Sequence, residues 1–237
     1  MTDLPRLDGR VVLVAGASRG LGAAAAEALA AAGAETIIVA RTQGALEALH
    51  DRIKAAGGKA VIAPVDLTDG DAVDRLALGV ADRFGRLDAL VLSAAILGVL
   101  SPIAHVKPEV FEKTVATNLT AHWRMIRNFE ALLQRSPAGR AVVVTSGAAA
   151  GGLAFWSPYA ASKAALEAMT SCWAEEVKST ALRVNLIDPG VMATGLRAEA
   201  FPGEDPATIR QPETIAPMIV RLAAAECDLH GQVMRAG

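Results

Sequence analysis

Arg10-Val11-Val12-Leu13-Val14-Ala15-Gly16-Ala17-Ser18-Arg19-Gly20-Leu21-Gly22 is the stretch whose reading decides the fold. Its first half is a continuous apolar run, the pattern of a parallel strand covered on both faces. Its second half spaces three glycines as G-x-x-x-G-x-G, and an alanine-rich helix is predicted over residues 23–32, closed by Gly33. A second strand over 36–40 ends at Arg41. Strand, glycine turn, helix and strand together form a βαβ unit. Glycines of this kind let a backbone approach a pyrophosphate, while the helix N-terminus attracts the anion. The same glycines also serve ordinary turns, so the turn alone does not decide for a nucleotide.

The alternation continues downstream. Helical patterns over 46–56 and from about 69 to 84 flank a strand over 60–65, with Thr68 or Asp69 as the cap of the second. A strand over 89–92 leads to Ser93-Ala94-Ala95. A long helix is predicted over 108–134, with Phe111, Val115, Leu119, Ile126, Phe129 and Leu133 as its apolar stripe. A strand over 140–145, a helix over 159–177 and a strand over 183–187 follow, the last ending at Asp188-Pro189-Gly190. Repeated strand–helix alternation without a linker predicts one doubly wound α/β domain with a parallel sheet.

The totals agree with that architecture. The 237 residues are 52% hydrophobic, enough for one large core and against disorder. A net charge of −2, with no lysine or arginine run, gives no reason to expect nucleic acid or an anionic membrane. No apolar run reaches the roughly 18 residues of a membrane span, and residues 1–6 lack the apolar core of a signal peptide. Two cysteines, Cys172 and Cys227, are too few for a disulfide framework, so a soluble cytoplasmic protein is expected. His50, His105, His122 and His230 show no ligand spacing, and no catalytic metal is expected.

In doubly wound sheets ligands bind beyond the carboxyl ends of the strands. Arg41 ends the second strand, where an acidic residue would repel a 2′-phosphate, and Arg19 lies in the glycine turn. Two guanidiniums there favour NADP(H) over NAD(H), unless both are plain surface charges. Asp66 ends the third strand, placed to accept from an adenine amino group or to start the next helix with Thr68. Ser146 follows the strand over 140–145. Asn118 lies mid-helix, where asparagine is unfavourable without a reason. Tyr159 is the only tyrosine, and Lys163 follows it by one helical turn. A free tyrosine, of pKa about 10, is a poor acid or base at neutral pH, and a neighbouring ammonium draws it toward the working range. Taken alone, such a pair also occurs on solvated helices.

Together these residues resemble the short-chain dehydrogenase/reductase family, in particular its bacterial 3-oxoacyl-carrier-protein-reductase-like members. The resemblance runs from Gly9 to about Gly231. Gly16, Ser18, Arg19, Gly20, Leu21 and Gly22 match its cofactor turn, and Asp66-Leu67 its adenine-binding pair. Asn118, Ser146, Tyr159 and Lys163 match its catalytic tetrad, and Pro189-Gly190-Val191 with Thr194 its nicotinamide-contacting segment. Ser93, Ala94 and Arg41 are expected to touch the cofactor as well.

The resemblance implies a single Rossmann domain over 1–237, about seven parallel strands with helices on both faces, and a substrate lid around 193–211. It implies hydride transfer between NADP(H) and a small-molecule carbonyl or secondary alcohol. Tyr159 would exchange the proton, Lys163 would lower the tyrosine pKa and bind the nicotinamide ribose, Ser146 would hold the substrate oxygen, and Asn118 would support the lysine and a relay water. In the lid, Phe201 and Leu196 could close over an apolar substrate and Arg197 could meet an acidic group.

Two departures stand out. Leu92-Ser93-Ala94-Ala95 replaces the family's N-N-A-G, losing side-chain hydrogen bonds and adding a methyl near the cofactor. After Gly231-Gln232-Val233 the usual acidic, paired-glycine ending is missing. A homodimer or homotetramer is expected through the helices over 108–134 and after Tyr159, the latter by Leu166, Met169, Trp173 and Val177, unless these side chains are core. A catalytically silent NADP(H)-sensing protein of the same fold is the alternative to an enzyme.

Overall fold

The computed structural model describes residues 4–236. Seven strands, β1 (Val11–Ala15), β2 (Glu35–Ala40), β3 (Lys59–Pro64), β4 (Ala89–Leu92), β5 (Arg140–Val144), β6 (Arg183–Asp188) and β7 (Val233–Arg235), form one sheet in the order β3-β2-β1-β4-β5-β6-β7. Every pairing is parallel. The chain runs outward from β1 to β3 and then restarts on the other side at β4. That reversal opens a crevice at the carboxyl ends of β1 and β4.

Two apolar layers result from the two-residue period of the strands. Val12, Val14 and Ile38 face helices α1 (Gly20–Ala31), α2 (Gln43–Ala55) and α8 (Ala216–Ala223). Leu13, Ile37 and Leu90 face α3 (Gly70–Phe84), α5 (Ala121–Gln134) and α6 (Ser157–Val177). Both faces of the central strands are therefore covered, which explains their unbroken apolar runs. Leu166, Trp173 and Val177 are buried in the second layer, so these α6 side chains are core within the protomer.

The helix expected over 108–134 is interrupted. Helix α4 (Pro108–Val115) passes into α5 through a π turn over Ala116–Thr120, in which the Ala121 N–H donates to the Ala116 carbonyl. One extra residue in the turn shifts the apolar stripe. Ile126, Phe129 and Leu133 are buried, whereas Phe111 is exposed. Two helices lay outside the sequence expectation, α7 (Gly195–Ala200) and α8, and the last strand begins at Val233, two residues after Gly231. Helix α7 is short, and α8 has a proline in its first turn, so neither has a long periodic pattern.

Asp69, not Thr68, caps α3, its side chain accepting from the Ala72 N–H at 3.1 Å. Removing that acceptor leaves an orphan helix donor. Asp69→Ala is expected to lower stability by about 1 kcal/mol. In urea titration the midpoint should fall with the slope unchanged.

Candidate active site

The glycine turn is shaped by what passes next to it. Gly16 has φ of 87°, and a β-carbon there would lie 2.5 Å from the Ala94 nitrogen on the loop leaving β4. Gly22 would likewise drive a β-carbon into the Gly16 carbonyl. Arg19 occupies the N-cap of α1 without a side-chain cap bond, which leaves the first amides of the helix to serve an anion. Arg19 and Arg41 share a recess with Ser18 and Thr42. Arg41 also sits 3.9 Å from Asp66. Burial pushes the Asp66 carboxyl up, but hydrogen bonds from the Thr68 side chain and backbone, with Arg41 nearby, leave it below its ordinary range. Its second oxygen faces the arginine. A cradle only glycine fits, open helix amides and two converging cations suit a dinucleotide bearing phosphate on its ribose.

A cleft of about 570 Å³ runs from this turn to the end of β6. All the residues expected from the sequence line it except Gly22, which packs the turn, and Asn118, which lies behind it. Tyr159 and Lys163 are both buried on the first turns of α6. The Lys163 ammonium donates to the Val144 carbonyl at 2.8 Å and lies 5.9 Å from the centre of the Tyr159 ring. Burial lowers the Lys163 pKa to about 8, against a partial offset from Glu167. Burial also raises the Tyr159 pKa, opposed by a hydrogen bond with Ser146. The phenol is thus neutral at neutral pH and holds its proton more tightly than a free tyrosine, whereas Lys163 was expected to lower its pKa; burial outweighs the ammonium here. Ser146 ends the segment after β5, and its hydroxyl also accepts from the Ala148 N–H.

Asn118 does not touch the cleft surface. It lies in the π turn, fully buried, and its amide brackets Ile96: the oxygen accepts from the Ile96 N–H and the nitrogen donates to the Ile96 carbonyl, both at 2.9 Å. The same nitrogen reaches Ser162 Oγ at 3.1 Å. One turn later His122, also fully buried, donates from Nε2 to the Ala94 carbonyl at 2.8 Å. His122 was not singled out as a site residue by the sequence, which offered only its lack of metal-ligand spacing. Its signal was position: four residues after Asn118, on the same helical face.

These two side chains answer the departure at Leu92–Ala95. Leu92 is buried in the apolar layer. The loop after it is held by the Ser93 N–H on the Ala15 carbonyl at 2.9 Å, and by Asn118 and His122 from the helix. The methyl of Ala95 packs beside the apolar group formed by Leu97, Ala148 and Tyr159.

Residues 10–205 match the family model described as short chain dehydrogenase. The chain belongs to the short-chain dehydrogenase/reductase family. It is 36% identical to a short-chain dehydrogenase structure from Pseudomonas syringae, with a TM-score of 0.95 and each chain covered completely. A short-chain dehydrogenase from Escherichia coli CFT073, complexed with NADPH, is 33% identical, with a TM-score of 0.91 and 97% of both chains covered. The 3-oxoacyl-[acyl-carrier-protein] reductase of Synechocystis is 34% identical over 223 residues, 92% of this chain and 90% of that one.

In this short-chain dehydrogenase/reductase the two ends of the segment over 193–211 meet where the Ala193 N–H donates to the Arg210 carbonyl at 2.8 Å, and Leu196 and Ala200 between them pack toward Tyr159. Thr194 lines the cleft and also caps α7, accepting from the Arg197 N–H at 3.2 Å. Arg197 is paired with Glu204 and stacks on Phe201. No described helix is long and apolar enough to cross a membrane.

Burial, with the Lys163 charge second, lowers the His122 pKa to about 3, below the ordinary 6.5, despite its bond to the Ala94 carbonyl. The folded protein therefore holds this imidazole neutral, while the unfolded chain takes up a proton as pH falls through 6.5. Stability is lost over the window from 6.5 down to about 3. The loss approaches about 1.4 kcal/mol per pH unit at its steepest. His122→Leu is expected to lose less stability across that window than the unaltered protein, read from urea midpoints at successive pH values. Parallel pH profiles for the two proteins would refute the assignment.

Proposed function

We propose that the protein is an NADP(H)-dependent oxidoreductase that interconverts a carbonyl and a secondary alcohol, with Tyr159 as the general acid and base. The observation that carries this is the buried Tyr159–Lys163 pair, with Ser146 in hydrogen-bond contact with the phenol at the floor of a nucleotide-shaped cleft. A bound nicotinamide supplies or accepts the hydride. Ser146 and Tyr159 both offer O–H groups to one substrate oxygen, polarising a carbonyl before its carbon is reduced. Tyr159, held neutral by burial, then gives its proton to that oxygen, and in the reverse direction takes one back. Lys163 stays largely protonated at neutral pH and places positive charge beside the phenolate as it forms. Asn118 and His122 fix the backbone of residues 94–96, which forms the wall next to Gly16. A silent nucleotide sensor has no use for this proton-handling set.

The cofactor preference is for NADP(H). Arg19 and Arg41 in one recess support it, as does the NADPH complex of the E. coli relative. Exposed Phe111 and Trp123 on the α4–α5 face support self-association as a dimer or tetramer.

Two measurements test these statements. Tyr159→Phe should cut NADPH oxidation across a panel of ketones and aldehydes by roughly 10²–10⁴-fold. NADPH affinity, read by fluorescence titration, should change little. Retained turnover would remove Tyr159 from proton transfer. Arg41→Asp should weaken NADPH by on the order of tenfold or more, through loss of a charged partner, and spare NADH. An unchanged ratio of the two affinities would refute the preference.

A further inference from the structure

A line of aromatic side chains leads from the reacting tyrosine out to the lid segment. Tyr159 meets Trp156 edge to face, with ring centres 5.9 Å apart. Trp156 meets Phe201 at 6.0 Å. The Arg197 guanidinium lies 3.7 Å over the Phe201 ring. Glu204 then takes that guanidinium in a two-pronged pair, Nε to Oε2 at 2.6 Å and Nη2 to Oε1 at 2.7 Å. Both side chains are about three-quarters shielded, at 23% and 26% exposure.

The charges lining the cleft divide by position. Arg19, Arg41 and Asp66 belong to the nucleotide turn and adjoining strand ends, Lys163 lies near Tyr159, and Asp188 ends β6. That leaves Arg197 on the lid side, among Leu153, Trp156, Leu196 and Phe201. A cation already bound twice to a carboxylate, with its face on a ring, is a poor receptor for a second anion. A substrate carboxylate arriving there would shed its water and meet Glu204 as well.

The mouth of the cleft is apolar too. Leu153, Val191 and Phe201 line it and remain exposed. Beside them Phe155 has φ of 73°, the only described non-glycine residue in the left-handed region, and its ring is exposed. Its carbonyl accepts from the Ser101 N–H at 3.0 Å, tying this loop to the segment that carries exposed Val99 and Ile103. Apolar side chains exposed at the mouth of a site mark what the site is meant to cover.

We propose that the substrate is an uncharged carbonyl compound with an aromatic or bulky apolar substituent seated against Trp156, Leu196 and Phe201, and that Glu204 sets this selectivity by occupying Arg197. This rests on the oxidoreductase assignment for the position of the carbonyl, but it can fail separately. The expectation that Arg197 meets an acidic substrate group is replaced by an intramolecular partner.

Acetophenone and 4-acetylbenzoate form a matched pair for the test. Each is titrated calorimetrically into the protein loaded with NADP⁺, which cannot reduce a ketone, and assayed in parallel by NADPH oxidation. Acetophenone should bind more tightly than the carboxylate by on the order of tenfold, and be turned over faster at low concentration. Glu204→Gln, which releases Arg197, should narrow or reverse the ratio. The double variant Arg197→Met with Glu204→Leu, which removes both charges and keeps the apolar volume, should retain it. That double variant also serves if Glu204→Gln does not fold. A carboxylate bound as well as the ketone by the unaltered protein, an unchanged ratio in Glu204→Gln, or selectivity lost in the double variant would each overturn the proposal. So would failure of acetophenone and benzophenone to bind while other carbonyls are reduced. Selective ketone binding without any NADPH oxidation would instead refute the oxidoreductase assignment and leave the selectivity of the site standing.

Discussion

The site depends on how closely two backbones pass at the switch point of the sheet. Gly16 leaves β1 and Ala94 leaves β4 with no room between them for a single β-carbon. This contact exists because the chain restarts at β4 on the other side of β1, so the two strand ends diverge only after the turn. It forms one wall of the cleft. The glycine is dictated twice over, by the missing space and by a positive φ. Ala94 is held from the opposite side by His122, so the close approach is fixed by a hydrogen bond and does not rely on packing alone.

The ionisation of the Tyr159–Lys163 pair follows from burial more than from charge pairing. Desolvation is the largest influence on each group, and it shifts the two in opposite directions. The tyrosine is pushed toward its neutral form and the lysine toward losing its proton. Their order of acidity is therefore the reverse of that in water, and the gap between them is wider. Moving the phenol proton to the lysine amine therefore costs more inside the protein than it would outside.

Much of this was legible in the residues. The period of apolar residues gave the strands and most helices because both faces of the sheet are buried, and the glycine spacing marked the turn because backbone proximity leaves no alternative residue. Tyr159, Lys163 and Ser146 were legible as types at strand ends and helix starts. The π turn was not, since a helix with one extra residue keeps a nearly helical apolar pattern and shows itself only where Phe111 turns outward. His122 was hidden for a different reason. Its partner is a main-chain carbonyl, so no second side chain marks the contact and only its place four residues after Asn118 pointed to it. The Arg197–Glu204 pair lies seven residues apart across a turn, a spacing that no helical or strand rule connects.

The bond between Ala193 and Arg210 closes the segment over 193–211 at its base. A loop whose two ends already meet adds little closure entropy when it is lengthened or shortened, and its backbone makes no strand of the sheet. A change of length between 193 and 210 is therefore absorbed at that junction and leaves the register of the seven strands untouched.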